Sequence, residues 1–148
     1  MLTVLAVLLT ATLGFQGTDR TTTVRVFVFT ETSAGAPTPE EKGRIEAVAD
    51  MRDALERKKG ITVVKTRDDA NVTMEVVGRE QREEPAGAFG GASITRMGDT
   101  IIRLKVKAGA EESDLKGMGQ GTWGRAAKDG ADRFLKWIAR REPKRQPL

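Results

Sequence analysis

The chain contains no cysteine, no histidine and no tyrosine. Without cysteine there can be no disulfide, thiol nucleophile or cysteine-ligated zinc site, and without histidine there can be no triad with a histidine base. Only three serines are present, Ser33, Ser93 and Ser113, and none lies in a G-x-S-x-G motif. An enzyme built from these residues would depend on carboxylates, lysine or a hard metal ion, so the composition favours a protein without catalytic activity.

The basic residues are concentrated at the C-terminal end of the chain. The 148 residues suffice for one domain with its own core, and the formal net charge is +4. Residues 133–148 contain a single acidic residue, Glu142, and six basic ones: Arg133, Lys136, Arg140, Arg141, Lys144 and Arg145. The rest of the chain is therefore close to neutral, and the basic character belongs to one segment rather than to a broad surface.

The N-terminal segment is typical of a signal peptide. From Leu2 to Leu13 every residue is apolar or threonine, and this run is shorter than a membrane-spanning helix needs. Thr12 and Gly14 are small enough to precede a cleavage site, so we expect a signal peptide over residues 1–17 and an exported protein. No lysine or arginine precedes the run, which leaves an uncleaved anchor or a buried first element as alternatives. No cysteine follows it, which excludes a lipid anchor.

The periodicity of apolar residues predicts strands and helices in the remaining chain. Thr38-Pro39-Glu40-Glu41 is a capping box with proline at the first helical position, and Gly60 is a typical residue after a helix end. The predicted strands cover residues 21–30, 61–65, 72–80 and 100–107, with a brief further strand at 93–97; the helices cover 39–59 and 122–141; a turn covers 67–71; and loops cover 81–92 and 108–121.

This order predicts an α+β fold with two layers. Strand, helix and strand in succession form a βαβ unit, whose strands are parallel and whose crossover is right-handed. The complete order, β-α-β-β-(β)-β-α, predicts one mixed sheet with both helices on one face. We expect a single domain over residues 18–141 and a basic tail over 142–148. In the second helix Gly130 lies among small residues, which allows a close approach to the sheet, and Trp137 either shields the helix end or marks an exposed contact patch.

The stretch GQGTWG matches the G-x-G-x-x-G pattern of dinucleotide-binding loops. Such a loop follows the first strand of a βαβ unit and precedes a second strand, whereas this stretch precedes the last predicted helix. No Lys-Ser or Lys-Thr pair follows the glycines, so a P-loop is excluded as well. We therefore expect no nucleotide and no other cofactor, and we interpret the stretch as a flexible segment that leads into a buried helix.

Two groups of acidic residues are candidates for metal binding or carboxylate catalysis. Asp68, Asp69 and Asn71 have suitable oxygen ligands, but the glycine and the distant glutamate of a calcium loop are absent, so a solvated turn is the better interpretation. Glu80, Glu83 and Glu84 could pair with Asp99, although most of them lie in a predicted charged loop, where nothing would shift a pKa. We expect no metal site and no catalytic residue.

Four basic residues near the C-terminus, Arg140, Arg141, Lys144 and Arg145, could contact a polyanion or an anionic membrane surface. Nucleic acid is not expected as a partner, because an exported protein does not meet it and no exposed aromatic row is evident for base stacking. The alternative interpretation is a basic end that serves solubility alone.

The segment DDANVTMEVVGRE, which follows the predicted βαβ start, resembles a segment of small bacterial envelope domains. Examples are the N-terminal domain of the Tol-Pal propeller protein and the penicillin-binding-protein activator lipoproteins. The resemblance covers residues 22–140, is architectural, and transfers no functional residue. It implies an α/β accessory domain that contacts other envelope proteins. Our expectation is therefore an exported, non-catalytic binding module, with a polyanion binder as the first alternative and a carboxylate- or metal-dependent hydrolase as the second.

Overall fold

The computed structural model describes residues 23–82 and 98–141. Its elements follow in the order β1 (Val24–Phe29), α1 (Pro39–Glu56), β2 (Ile61–Val63), β3 (Val72–Arg82), β4 (Asp99–Ala108), β5 (Glu111–Gln120) and α2 (Trp123–Arg141). The predicted signal peptide at 1–17, the brief strand at 93–97, most of the loop at 81–92 and the tail at 142–148 lie outside the described residues.

The five strands form one mixed sheet in the order β2-β1-β3-β4-β5. β1 is parallel to both β2 and β3, which confirms the parallel strands predicted for the βαβ unit, and it has neighbours on both sides. β3, β4 and β5 are antiparallel, and a bulge interrupts the β3–β4 register between Val76 and Gly78. The α+β fold predicted from the sequence is confirmed.

The core lies between one face of the sheet and the two helices. β1, β3 and β4 direct alternate apolar residues toward the helices, as their pattern predicts, while α1 and α2 contribute Met51, Leu55 and Phe134. All three of these helix residues are fully buried. The opposite face of the sheet carries charged pairs, including Glu80 with Arg103, and the stacked rings of Phe27 and Phe29.

α1 begins where the capping box predicts. Thr38 accepts a hydrogen bond from the Glu41 amide, and the Glu41 carboxylate accepts one from the Thr38 amide at 2.7 Å. The same carboxylate accepts hydrogen bonds from the amide and the hydroxyl of Ser33, so it fastens the preceding loop to the helix. Neither helix of the described ranges has the length and apolarity that a bilayer crossing requires.

The main correction concerns residues 108–121. The glycines and acidic residues of this stretch predict a flexible loop, but the structure has a ten-residue strand there, β5. Its helix-facing positions include Gly117 and Gly119, opposite Ile102 and Thr100 of β4. Apolar side chains are missing from these two positions because α2 occupies the space, as described below.

A groove between the β5 edge and helix α2

The two edges of the sheet are protected to different degrees. At one edge, β2 is only three residues long, and where it ends Arg52 of α1 donates a hydrogen bond to the Val28 carbonyl at 2.8 Å. At the other edge β5 is ten residues long. An unpaired strand edge presents backbone donors and acceptors that can pair with another chain, and short strands or covering side chains are the usual protection. The β5 edge is therefore the more accessible one.

Side chains of α2 cap only one end of the β5 edge. The Met118 amide donates to the Asp129 carboxylate at 2.9 Å, and the Gln120 carbonyl accepts from Arg125 at 3.3 Å. Because backbone groups alternate in direction along a strand, the amides and carbonyls of Glu112, Asp114 and Lys116 point the same way, away from β4. Within residues 23–82 and 98–141 these outward backbone groups have no hydrogen-bond partner.

The open half of the β5 edge forms one wall of a groove, and one face of α2 forms the other. The groove has a volume of about 620 Å³, within the range of ligand pockets. Its residues come from four successive positions of β5 and from helix positions that recur at helical spacing: Ser113, Asp114, Leu115, Lys116, Asp129, Arg133, Lys136, Trp137 and Arg140.

Cationic side chains predominate in this groove, which we call the β5 groove. Arg133 forms an ion pair with Asp129 at 2.8 Å, one helical turn away. Lys136 and Arg140, both exposed, form no ion pair within the described part of the chain. The helix wall thus presents two positive charges that the groove itself does not neutralise.

Trp137 forms the apolar part of the groove. Its ring is partly buried against the core, with its centroid 6.0 Å from that of Phe134. The Arg141 guanidinium lies 4.7 Å from the ring centroid, a cation–π distance. Trp137 therefore shields the core and also lines the groove, and its role as a contact patch stays a prediction.

Glycine explains why α2 lies so close to β5. A Cβ atom on Gly117 would overlap the carbonyl oxygen of Ala126, and one on Gly119 would lie 2.5 Å from the Ala126 amide nitrogen. Gly130 of α2 contacts β5 at Gly117, and a Cβ there would lie 3.2 Å from a methyl carbon of Leu104. The prediction that Gly130 allows a close approach is confirmed, and the same approach excludes side chains from the facing strand.

Of the four basic residues predicted to contact a polyanion, the structure describes two, Arg140 and Arg141, and these have different surroundings. Arg140 lines the β5 groove, but Arg141 forms an ion pair with Glu111 and donates to the Ala108 carbonyl at 3.1 Å. Lys144 and Arg145 lie outside the described residues. Lys116, Arg133 and Lys136 were not predicted as groove residues. The helical spacing from Arg133 through Lys136 to Arg140 is the signal that could have revealed the two residues on α2, and Lys116 on β5 has no such signal.

The carboxylate candidates that the structure describes lie in a turn and on the paired strands β3 and β4. Asp68 and Asp69 are exposed in the turn predicted for them, where Asp69 accepts a hydrogen bond from Thr66 at 2.6 Å. Glu80 pairs with Arg103, which holds the pKa of this carboxyl below its usual range and raises the pKa of the guanidinium. Asp99 lies opposite Arg82, and Glu83 and Glu84 fall outside the described residues. Over the described ranges, no three acidic side chains are grouped as metal ligands would be.

GQGTWG joins the end of β5 to the start of α2 rather than cradling a ligand. Its first glycine belongs to the strand, and its second, Gly121, has φ +73°, which makes the turn into the helix. Thr100 of β4 is buried, and its hydroxyl lies 2.8 Å from the Gly119 carbonyl and 3.0 Å from the Thr122 carbonyl. The stretch serves packing and the chain reversal.

Comparison with known proteins gives no family for the chain. No family model matches it, and no curated protein matches it by sequence. Among solved structures, it is similar to uncharacterized lipoprotein B from Nitrosomonas europaea, with 11% identity, a TM-score of 0.42, and coverage of 78% of this chain and 81% of the other. It is also similar to a hypothetical protein from Chlamydia trachomatis, with 10% identity, a TM-score of 0.34, and coverage of 79% and 94%. Similarity at this level assigns no function, and the resemblance to the two envelope families stays a prediction.

Proposed function

We propose that this protein is an exported, non-catalytic binding module of the bacterial cell envelope, and that it contacts another protein through the β5 groove. The observation that carries the proposal is the open backbone edge of β5 beside the cationic wall of α2. An accessible edge is a common means by which one protein engages an extended segment of another. The signal-like segment at 1–17 supports export, and the absence of cysteine and histidine supports a role in binding.

A polyanion remains the second candidate, because Lys136 and Arg140 have no ionic partner in the described ranges. A protein partner is favoured, because the two unpaired cations of the helix wall would release few counterions. The unpaired backbone groups of β5, in contrast, would have no role in binding a polyanion. The two candidates differ in their salt dependence, which is steep for a polyanion.

The test is affinity capture of partners from envelope extracts with the tagged protein. We expect one reproducible protein partner, captured by the wild type and lost with Lys136→Glu/Arg140→Glu. The matched control is Lys42→Glu/Lys65→Glu, which makes the same change of charge at two exposed lysines away from the groove.

Two outcomes would contradict the proposal. One is the absence of any specific partner under conditions in which the protein is folded and abundant in the extract. The other is retention of polyanions alone, with binding that vanishes at moderate salt.

A further inference from the structure

We infer that the β5 groove receives an acidic, extended segment of the partner, which joins the sheet as a sixth strand beside β5. The inference rests on the proposed function, because it assigns the chemistry of the partner at the same groove. It is carried by the direction of the free backbone groups, by the charges that face them, and by the geometry of an added strand.

The free backbone groups match the needs of one added strand. Glu112, Asp114 and Lys116 direct both their amides and their carbonyls outward, and an added strand bonds to such alternate residues. Beyond them the edge is already occupied, since α2 side chains bond to Met118 and Gln120. The open stretch, residues 112–116, accommodates about five residues of a partner strand.

The helix wall selects for negative charge. Arg133, Lys136 and Arg140 overhang the position that the added strand would take. The Asp129 carboxylate, the acidic group of that wall, accepts hydrogen bonds from both the Met118 amide and Arg133, so it does not neutralise the other two cations. Acidic side chains on the strand would replace the counterions at Lys136 and Arg140.

The geometry also specifies where the acidic residues belong. Successive side chains of a strand point to opposite faces, so only every second residue of the added strand faces α2. The residues between them face the opposite side, where Asp114 and Lys116 of β5 carry opposite charges. Arg133 and Arg140 are separated by roughly 10 Å along the helix, a distance covered by acidic residues at positions i, i+2 and i+4 of a strand.

A second copy of this chain fits the groove less well. Antiparallel pairing of two β5 edges about a twofold axis places both helix layers on the same side of the joined sheet. The cationic faces of the two α2 helices would then confront each other, and like charges at close range are destabilising. An isolated acidic segment brings no helix of its own and avoids this repulsion.

The experiment measures binding and amide hydrogen exchange with a synthetic peptide of about nine residues that alternates glutamate with threonine or valine. We expect exchange at the Asp114 and Lys116 amides to slow by about tenfold or more when the peptide is bound. The amides of Ser113 and Leu115, which point toward β4, serve as internal controls and should change little.

Three controls separate strand addition from simple charge attraction. A peptide of the same composition with its glutamates adjacent, and an alternating peptide with N-methyl groups on the edge facing β5, should both bind about tenfold more weakly. Lys136→Glu/Arg140→Glu should weaken binding of the original peptide by about tenfold, and Lys42→Glu/Lys65→Glu by less than about twofold. Well-dispersed amide spectra establish that each variant is folded.

Equal binding of the N-methylated peptide, or slowed exchange outside β5, would overturn the inference. So would a concentration-dependent dimer that buries the Asp114 and Lys116 amides without peptide, since this would make the occupant a second copy. If a partner protein is captured from extracts but the peptide fails these tests, the inference alone is wrong. If no partner is captured, the proposed function fails.

Discussion

Glu41 is a buried acidic residue whose charge stabilises the start of α1. Its carboxylate accepts hydrogen bonds from the Ser33 hydroxyl, the Ser33 amide and the Thr38 amide, and these lower its pKa to about 2. Because these hydrogen bonds favour the ionised form, the Glu41 carboxyl binds a proton less tightly in the native state than in the unfolded chain. The stabilisation is present above the ordinary pKa of about 4.5 and is lost as pH falls toward 2.

Glu41→Gln should therefore unfold at lower urea concentration than the wild type at pH 7, because it removes the charged acceptor. The difference between the two proteins should narrow as pH falls from about 4.5 to about 2, where the wild-type carboxyl becomes protonated. Urea unfolding monitored by circular dichroism at several pH values measures the difference in stability between the two proteins. Glu40→Gln, at the exposed neighbouring residue, removes the same charge and should have a small effect. A difference that stays constant down to pH 2 would contradict this account.

The contact between β5 and α2 is the element-scale feature that determines the shape of the groove. The two backbones meet at Gly117 and Ala126 without side chains between them. Gly117→Ala should destabilise the fold by about 1–3 kcal/mol, because the new methyl group forces the helix away from the strand. Thermal unfolding measures this loss.

Gly124→Ala is the matched control for that substitution. Apart from its chain neighbours and the backbone of its own helix, no described atom lies within 4 Å of the position of its new Cβ, and the residue has no positive φ. We expect a neutral or slightly stabilising effect, since alanine favours the helix. If both variants lose the same stability, close packing at Gly117 is not the reason.

The helices and strands were predictable where local chemistry determines the structure of a segment, and not where a tertiary contact determines it. The capping box at Thr38 predicts the first residue of α1, and the alternation after Thr100 predicts β4 to within a residue at each end. β5 was missed because its apolar positions are replaced by glycine, which is ordinarily unfavourable in strands. The spacing of Gly117 and Gly119, two residues apart, has the period of a strand, but its meaning depends on a helix that lies over it.

The same distinction explains what the sequence revealed of the groove. Arg140 was identified from the cluster of charge at the C-terminus, whereas Lys116 comes from a stretch interpreted as a loop. The groove exists because α2 overhangs β5, and that arrangement depends on the order of strands in the sheet, which periodicity does not determine. Arg141 was interpreted as available for a polyanion, yet its pairing with Glu111 joins the helix end to the start of β5.

At the scale of the whole molecule, the sheet is protected at one edge and open at the other. The short β2, together with Arg52 at the Val28 carbonyl, opposes extension of the sheet on that side. The cations of α2 beside β5 oppose pairing between copies while they permit an acidic segment. This asymmetry is what an accessory module needs if it is to bind one partner strand and still avoid aggregation.

Export is the second property of the whole molecule that can be tested. Leu8→Arg/Leu9→Arg places two charges in the apolar run, which should prevent recognition as a signal peptide and leave the unprocessed chain in the cytoplasm. The wild type should be found in the periplasmic or secreted fraction, with cleavage between residues 14 and 17. Fractionation shows where the protein is located, and mass spectrometry of the N-terminal peptide shows where it is cleaved. A wild-type protein that keeps Met1 and stays in the cytoplasm would contradict export.

Trp137 gives the protein an intrinsic optical sensor of the groove. With no tyrosine in the chain, ultraviolet emission comes from two tryptophans, and the other, Trp123, lies under the Arg79 guanidinium at 3.9 Å, where it also packs against the core. In Trp123→Phe the remaining emission would report on the groove alone. Addition of the alternating acidic peptide should shift its wavelength and reduce quenching by iodide, so that occupancy can be followed in real time without any attached dye.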